Sequence, residues 1–223
     1  MGISCASEIF TEEIRLMLAD LPGQVNMIDD ILVFGRDEAE HQKNLLAVLE
    51  RLESRGITLN KGKCQFYRKE LTFFGLRFTA DGVSPTEDRC RALREAQTPK
   101  DAKELRSFLC SALYSARFMQ NHCIVADPLW RLCKAGVEWK WGPEEQNSFD
   151  EVKNAISTKC MGYFNKEWRT EVIVDASKVG LGAVFVQHNP NDPKDRRIIS
   201  FASRMLSEIE LHGDIIIQVY MWR

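Results

Sequence analysis

The adjacent acids Asp29 and Asp30 constrain the fold more than any other feature, because they lie between two apolar segments. Residues 24–35 read Gln-Val-Asn-Met-Ile-Asp-Asp-Ile-Leu-Val-Phe-Gly, a pattern typical of a β-hairpin with acidic side chains at its tip. Carboxylates beside a low-dielectric core are costly unless a cation neutralises them, and hard oxygen ligands suit Mg²⁺ or Mn²⁺. The pair therefore indicates a divalent-metal site, although a solvated turn also explains these two residues.

The composition is that of a globular protein without an overall basic character. Of the 223 residues 44% are hydrophobic, which is enough for one large domain or two small ones. The net charge of −2 excludes a wholly basic nucleic-acid-binding protein, so any such binding has to come from local patches. Taken alone, both candidate patches are better explained as solvated faces. They comprise Lys61, Lys63, Arg68 and Lys69, and Arg89, Arg91, Arg94, Lys100, Lys103 and Arg106.

Seven cysteines occur without a Cys-x-x-Cys motif or a spacing that suits zinc. This odd number predicts reduced, mostly buried thiols in an intracellular protein, with cytoplasm and nucleus not distinguished. No apolar run approaches the ~20 residues that span a bilayer, so we expect no membrane partner.

Periodicity and turn residues predict alternating helices and strands. The first predicted helix covers residues 7–19. The second begins after Asp37, which forms a capping box with Glu40, and ends at Gly56. Two more predicted helices begin at Thr98-Pro99 and at Gly142-Pro143. The predicted strands cover residues 57–60, 71–78, 171–175, 180–187 and 198–202. The last three strands predict the first half of an α/β or α+β sheet.

Further motifs occur in a fixed order along residues 1–212. They are Glu8-Ile9-Phe10, Leu59-Asn60 with Lys63-Cys64, Phe73-Phe74-Gly75-Leu76 through Pro85, Leu105-Arg106-Ser107-Phe108-Leu109, Val174-Asp175-Ala176-Ser177 and Ser200-Phe201-Ala202-Ser203-Arg204. Together with Asp29-Asp30 they resemble the pol polyprotein of gypsy-type LTR retrotransposons, a reverse transcriptase joined to an RNase H-like domain. Met27 stands where the family has an aromatic residue, which weakens the expectation of a nucleotide contact but keeps both acids.

The resemblance implies an α+β fold: a partial reverse-transcriptase palm and thumb, a helical connection, and an incomplete RNase H-like mixed sheet. The expected domains are the C-terminal part of the palm (1–56), the primer-grip hairpin and thumb (57–98), the connection (99–160), and the N-terminal part of the RNase H-like domain with a divergent tail (161–223).

The resemblance also implies functional residues. The acids expected to act in catalysis and bind Mg²⁺ or Mn²⁺ are Asp29, Asp30 and Asp175. Taken alone, Asp175 is better explained as an ordinary strand-end residue. The residues expected to contact nucleic acid are Lys61, Lys63, Arg68, Phe74 and Gly75. The expected partner is a primer–template, either an RNA–DNA or a DNA duplex.

Parts of the family pattern are missing. The fingers and the first palm aspartate precede residue 1, and the second RNase H carboxylate is expected near Ile217 or Gln218, where no acid stands. From Gly213 the sequence departs from the pattern, which suggests an alternative exon, an intron read-through or a frameshift. We expect the missing parts to come from elsewhere and the truncated sheet to expose an unpaired apolar edge.

Three functions stay open on this basis. The first is an RNA-directed DNA polymerase and RNase H-like fragment that is inactive in isolation. The second is a non-catalytic nucleic-acid-binding module, and the third is a retroelement relic without function.

Overall fold

Residues 5–156, 160–177, 179–207 and 210 are described by the structure, a computed structural model. The chain divides into a first unit, residues 1–68, and a second unit, residues 69–223. The predictions for the tail after Gly213 lie outside the described residues. The domain boundaries expected from the family remain predictions.

The first unit packs two helices against one β-hairpin. Its elements are α1 (Ala6–Leu18), β1 (Gln24–Met27), β2 (Asp30–Val33) and α2 (Glu38–Ser54). Each helix contributes two buried apolar side chains spaced four residues apart, which places them on one helical face. These core residues are Ile14, Leu18, Val48 and Leu52, and Ile31 and Val33 of β2 pack against them.

Helix α2 is capped differently from the predicted capping box. The Asp37 carboxylate accepts a hydrogen bond from the Glu40 amide at 2.8 Å, which confirms Asp37 as the cap. The Glu40 carboxylate accepts from the Arg36 amide at 2.8 Å and pairs with the Arg36 guanidinium at 3.0 Å. In a capping box the Glu40 carboxylate would accept from the Asp37 amide. Here it binds Arg36, one residue earlier, instead.

The predicted strand over residues 57–60 is wrong. Gly56, with φ +70°, ends the preceding helix, and the Ile57 amide donates to the Leu52 carbonyl at 2.9 Å. Ile57 packs on the core, and Asn60 begins a turn in which its carbonyl accepts from the Lys63 amide. The helix end and this turn use the backbone groups that a strand would need.

The second unit begins with a three-stranded antiparallel sheet: β3 (Leu71–Phe73), β4 (Leu76–Thr79) and β5 (Gly82–Pro85). The single strand predicted over residues 71–78 is interrupted at Phe74 and Gly75, whose φ values are +53° and +69°. Positive φ at both central residues is the requirement of a type I′ hairpin turn. The segment is therefore a hairpin, as the resemblance implies.

Five α-helices and one 3₁₀ turn follow in the described part of the chain: α3 (Glu87–Arg94), α4 (Ala102–Tyr114), the 3₁₀ turn (Ala116–Phe118), α5 (His122–Val125), α6 (Asp127–Leu132) and α7 (Pro143–Ala155). The predicted start at Thr98-Pro99 is wrong, because the Asp101 carboxylate accepts from the Lys103 and Glu104 amides at 2.8 Å. Aspartate is a stronger N-cap than threonine, so Asp101 is preferred over Thr98. The start at Gly142-Pro143 is confirmed.

Three long strands complete the second unit: β6 (Arg169–Ala176), β7 (Gly180–Asn189) and β8 (Asp192–Met205). They pair in chain order, and every pair among these described strands is antiparallel, so the mixed character expected of the sheet is not seen in this part. Strand β6 pairs only with β7 among the described strands and exposes Val172 and Val174. It thus presents the apolar edge that the sequence predicts.

The segment around Met161 joins the two sheets of the second unit. Met161 forms an antiparallel bridge with Val83 of β5, with N–O distances of 2.8 and 2.7 Å. The next amide, of Gly162, donates to the Ile198 carbonyl of β8 at 2.8 Å. Met161 also packs in a small core with Val83 and Phe118.

All seven cysteines are free, but the prediction that most are buried is wrong. Only Cys90 and Cys133 are buried, and burial raises the pKa of each thiol. Among the described residues, no helix combines the length and apolarity needed to cross a membrane.

Gly82 is expected to tolerate no side chain. A Cβ there would lie 2.0 Å from the Met161 carbonyl oxygen, and its φ is +143°. Gly136 also has a positive φ, +79°, but has no heavy atom within 4 Å of the same position. We expect Gly82→Ala to lower the free energy of unfolding by about 3 kcal/mol or more, and Gly136→Ala by about 1 kcal/mol. Urea denaturation followed by circular dichroism measures both, and equal losses would contradict the clash.

His122 is expected to make stability depend on pH. It is 1% exposed, neither ring nitrogen has a hydrogen-bond partner among the described residues, and burial lowers its pKa below 6.5. The unfolded chain therefore binds more protons just below pH 6.5. We expect the free energy of unfolding to be highest above pH 6.5 and to fall as the pH drops toward the folded pKa.

The His122→Leu variant should lose this dependence, whereas His41→Leu, in the first unit, should retain it. Urea denaturation over a pH series compares the two variants. A slope that persists unchanged in His122→Leu would assign the effect to another group.

Candidate active-site hairpin and nucleic-acid contacts

The predicted acidic hairpin is confirmed. Strands β1 and β2 pair from Gln24 with Val33 to Met27 with Asp30, and Ile28 and Asp29 form the connecting turn. Asp29 therefore lies in the turn itself, and Asp30 is the first residue of β2. The Phe34 amide donates to the Gly23 carbonyl at 2.8 Å, which closes the open end of the hairpin.

Side-chain amides tie the hairpin to helix α1. Asn26 Nδ2 donates to the Thr11 carbonyl at 3.2 Å, and Gln24 Nε2 donates to the Leu18 carbonyl at 2.8 Å. Residues two apart in a strand share a face, so these amides lie on the face that meets the core. The helix thus fixes which face of the hairpin is buried.

The opposite face of the hairpin is open to solvent. It carries Val25 and Met27, which are 46% and 43% exposed, and Asp30, the cross-strand partner of Met27. An apolar strip leading to a carboxylate is therefore presented on the outer side of this unit.

The two carboxylates are available to a cation. Asp29 and Asp30 are exposed, and no described residue forms a hydrogen bond or an ion pair with either side chain. Unpaired carboxylates are the hard oxygen donors that Mg²⁺ and Mn²⁺ prefer, so these residues fit such an ion. Within the described residues, no group of three or more His, Cys, Asp or Glu side chains forms a metal cluster.

The turn between the acids and β1 is strained. Ile28 has φ +55°, a region that β-branched residues rarely adopt. Such a backbone costs about 1–3 kcal/mol and persists only where its surroundings impose it. The pairing of β1 with β2 and the anchoring to α1 supply that restraint.

Asp175 lies in the second unit, near the end of β6. Its register partner on β7 is Gly182, which in turn pairs with Ser203 of β8. A Cβ on Gly182 would lie 2.3 Å from Asn121 Oδ1, so this glycine lets the loop before α5 approach the sheet. Asp175 is exposed and has no ion-pair partner among the described residues. A carboxylate in this position also fits a divalent cation.

Phe74 and Gly75 form the tip of the β3–β4 hairpin, and two hydrogen bonds hold it. The Tyr114 hydroxyl donates a hydrogen bond to the Phe74 carbonyl. The Thr86 amide donates to the Gly75 carbonyl at 3.2 Å. A Cβ on Gly75 would lie 3.0 Å from Arg89 Nε. The tip is therefore fixed from helix α4 and from Thr86, the residue that precedes α3.

Lys61 and Lys63 flank a turn after α2 in the first unit. Asn60 shapes this turn, since its side chain accepts from the Gly62 amide at 3.1 Å and its carbonyl from the Lys63 amide at 2.9 Å. Lys61, Lys63 and Arg68 are exposed and pair with no carboxylate among the described residues. The predicted nucleic-acid-binding residues thus occur in both units, and their roles remain predictions.

The sequence did not single out the contact between Arg89 and Tyr114. Arg89 appeared only as one member of a basic patch. Because the two residues lie on different helices, no local spacing predicts their contact. The available signal is that Arg91 and Arg94 have acidic residues nearby on the same helix with which to pair.

Two family models match the chain. Residues 2–78 match "Reverse transcriptase (RNA-dependent DNA polymerase)", and residues 141–218 match "RNase H-like domain found in reverse transcriptase". The second match continues past Gly213, where the sequence pattern predicts the resemblance to end.

The Transposon Tf2-3 and Tf2-7 polyproteins of Schizosaccharomyces pombe are each 30% identical to the chain over 194 residues. These alignments cover 86% of the chain but only 15% of each polyprotein. The chain therefore matches only about 15% of the length of these relatives.

Solved structures share the fold. A foamy viral protease-reverse transcriptase in complex with dsDNA has a TM-score of 0.79 at 23% identity, covering 100% of this chain and 47% of that chain. The same protein in complex with an RNA/DNA hybrid has a TM-score of 0.77 at 23% identity, covering 97% and 30%. The chain therefore contains segments of the reverse transcriptase family and is homologous to gypsy-type retrotransposon polyproteins. Members of this family generally use Mg²⁺.

Replacing Ile28 by glycine should relieve the strained turn. Because glycine adopts positive φ freely, we expect Ile28→Gly to raise the free energy of unfolding by about 0.5–1 kcal/mol. The control is Asp29→Gly in the same turn, which should lower it by about 0.5–1 kcal/mol, because its φ is not positive. Urea denaturation measures both variants, and a loss in Ile28→Gly would show that the turn is unstrained.

Proposed function

We propose that this chain serves RNA-directed DNA synthesis as the part of a reverse transcriptase that binds a divalent metal and the primer–template duplex. The observation that carries the proposal is the pair of unpaired carboxylates, Asp29 and Asp30, at the tip of a hairpin anchored by α1. They lie within the segment that matches the reverse transcriptase model. Without that family match, the same geometry would fit a solvated turn.

Asp29 and Asp30 are the residues that would hold Mg²⁺ or Mn²⁺. When bound, such ions stabilise the negative charge that develops during phosphoryl transfer. The chain's own contribution is to orient two carboxylates on a restrained turn, with one face of the hairpin left open for the substrate. Asp175 is proposed to act in the same way toward RNA paired with DNA, from the sheet of the second unit.

Positive and backbone groups would position the duplex. Lys61, Lys63 and Arg68 can neutralise phosphates without reading the base sequence. The tip at Phe74 and Gly75 would support the primer strand, because Tyr114 holds its backbone in place. The complexes of the foamy viral enzyme with dsDNA and with an RNA/DNA hybrid support duplexes as the partner class.

Two carboxylates hold a metal pair weakly, and the family pattern includes a third acid on an earlier strand. We therefore expect the 223-residue chain alone to bind duplex without extending a primer. Extension would then require the remaining palm and fingers, supplied by another segment or chain. Binding of free nucleotide is not part of the proposal.

A non-catalytic duplex-binding module is the second candidate function. It is favoured by Lys61 and Lys63, which are exposed, pair with no acid among the described residues and lie outside the acidic hairpin. In this case the acids would be dispensable for every activity of the chain. The two candidates differ in whether a divalent ion binds at the hairpin.

The first experiment measures Mn²⁺ binding, duplex binding and primer extension on an RNA template for the chain and for Asp29→Asn/Asp30→Asn. Glu50→Gln/Glu53→Gln on α2 is the matched control, because it removes two exposed acids of the same charge. We expect the hairpin variant to weaken Mn²⁺ binding by at least about tenfold and to keep duplex binding, with the control unchanged.

Equal Mn²⁺ binding in all three proteins, with duplex binding retained, would favour the non-catalytic module. Absence of duplex binding would refute both candidates. Primer extension by the unmodified chain, lost in the hairpin variant, would show that the two acids suffice and that the third is dispensable.

A further inference from the structure

Arg89 differs from the other arginines of helix α3. Arg91 pairs with Asp88 at 2.6 Å, and Arg94 pairs with Glu87 at 3.3 Å. Arg89 pairs with no carboxylate among the described residues. Its guanidinium carbon instead lies 3.9 Å from the centroid of the Tyr114 ring. The helix therefore carries one half-buried arginine whose charge is not neutralised by an acid.

The contact with Tyr114 orders the arginine without using its donors. A guanidinium over an aromatic face is attracted by the ring, and its in-plane N–H groups stay free for hydrogen bonds. An ordered side chain also loses less conformational entropy when it binds a ligand. Arg89 is thus arranged to donate to an incoming anion.

The same tyrosine connects Arg89 to the tip of the β3–β4 hairpin. Its hydroxyl donates to the Phe74 carbonyl, while its ring supports the guanidinium. A Cβ on Gly75 would lie 3.0 Å from Arg89 Nε and 3.2 Å from Nη2. Glycine at this position therefore leaves the space that the guanidinium occupies. The cation lies directly beside the hairpin tip.

We propose that Arg89 contacts a backbone phosphate of the nucleic-acid strand that passes the Phe74–Gly75 tip. The fork of guanidinium N–H groups matches two phosphate oxygens, and an unpaired cation loses no ion pair when the phosphate arrives. The contact positions the strand and carries no sequence preference. This inference rests on the proposed duplex binding and adds a specific phosphate-binding residue to it.

The first test compares the salt dependence of duplex binding by the full chain, Arg89→Gln and Arg91→Gln, followed by fluorescence anisotropy. Each phosphate contact adds about 0.9 to the slope of log Kd against log salt. We expect Arg89→Gln to lower this slope by about 0.9. Arg91→Gln removes the same charge from the same helix but should change the slope much less, because Asp88 already neutralises that arginine. Arg89→Lys should keep the slope.

The second test removes the phosphate instead of the arginine. Single methylphosphonates are placed in turn along each strand of the duplex. At one position the unmodified chain should lose about eightfold in affinity near 0.1 M salt, the counterion-release contribution of one contact. Arg89→Gln should lose nothing further at that position. Arg89→Lys should stay sensitive at that position, and Arg89→Met, which also removes the charge, replaces Arg89→Gln where that variant folds poorly.

The outcomes separate this inference from the proposed function. If the unmodified chain binds duplex and Arg89→Gln behaves like Arg91→Gln, the phosphate contact is refuted and duplex binding stands. The phosphate contact is also refuted if the position sensitive to methylphosphonate stays sensitive in the folded Arg89→Gln variant. If the unmodified chain binds no duplex, both proposals fail together.

Discussion

The pairing register of the β1–β2 hairpin is the constraint on which the acidic site depends. Side chains alternate between the two faces of a strand, so a shift of one residue would exchange the buried and exposed sets. In the observed register Ile31 and Val33 enter the core, and Asp30 faces solvent. The amides of Asn26 and Gln24 hold that register against α1. The strain at Ile28 is therefore tolerated because the rest of the unit fixes both strands.

Prediction from sequence succeeded where local patterns and burial agree. The acidic hairpin, the Asp37 cap and the helix start at Gly142-Pro143 follow from residues that are close in sequence. It failed where two local solutions compete. Thr98-Pro99 and Asp101 both suit a helix start, and the carboxylate with two amide donors prevails. The continuous apolar pattern of residues 71–78 gave no sign of the turn at Phe74. Phenylalanine rarely adopts the positive φ that Phe74 has here.

The candidate site divides in the same way. Asp29, Asp30 and Asp175 were predicted from motifs, and in the structure each is exposed and has no ion-pair partner among the described residues. The arrangement of Arg89, Tyr114 and Gly75 was not identified, because it brings together a hairpin and two helices. A basic side chain is available to a nucleic acid only when no acid pairs with it. Which basic side chains are paired depends on the fold and cannot be read from the composition. A count of basic residues therefore overstates the cations available to a nucleic acid.

The bridge at Met161 restrains the distance between the two sheets of the second unit. One short segment bonds to Val83 in the sheet that carries the Phe74–Gly75 tip, and at the next residue to Ile198 in the sheet that carries Asp175. Two strand edges that share a backbone connection cannot move apart without breaking the hydrogen bonds of Met161 and Gly162. The spacing between the hairpin tip and the sheet that carries Asp175 is thus restrained by these backbone hydrogen bonds. Under the proposed duplex binding, a strand held at the tip would reach the second sheet after a fixed number of nucleotides.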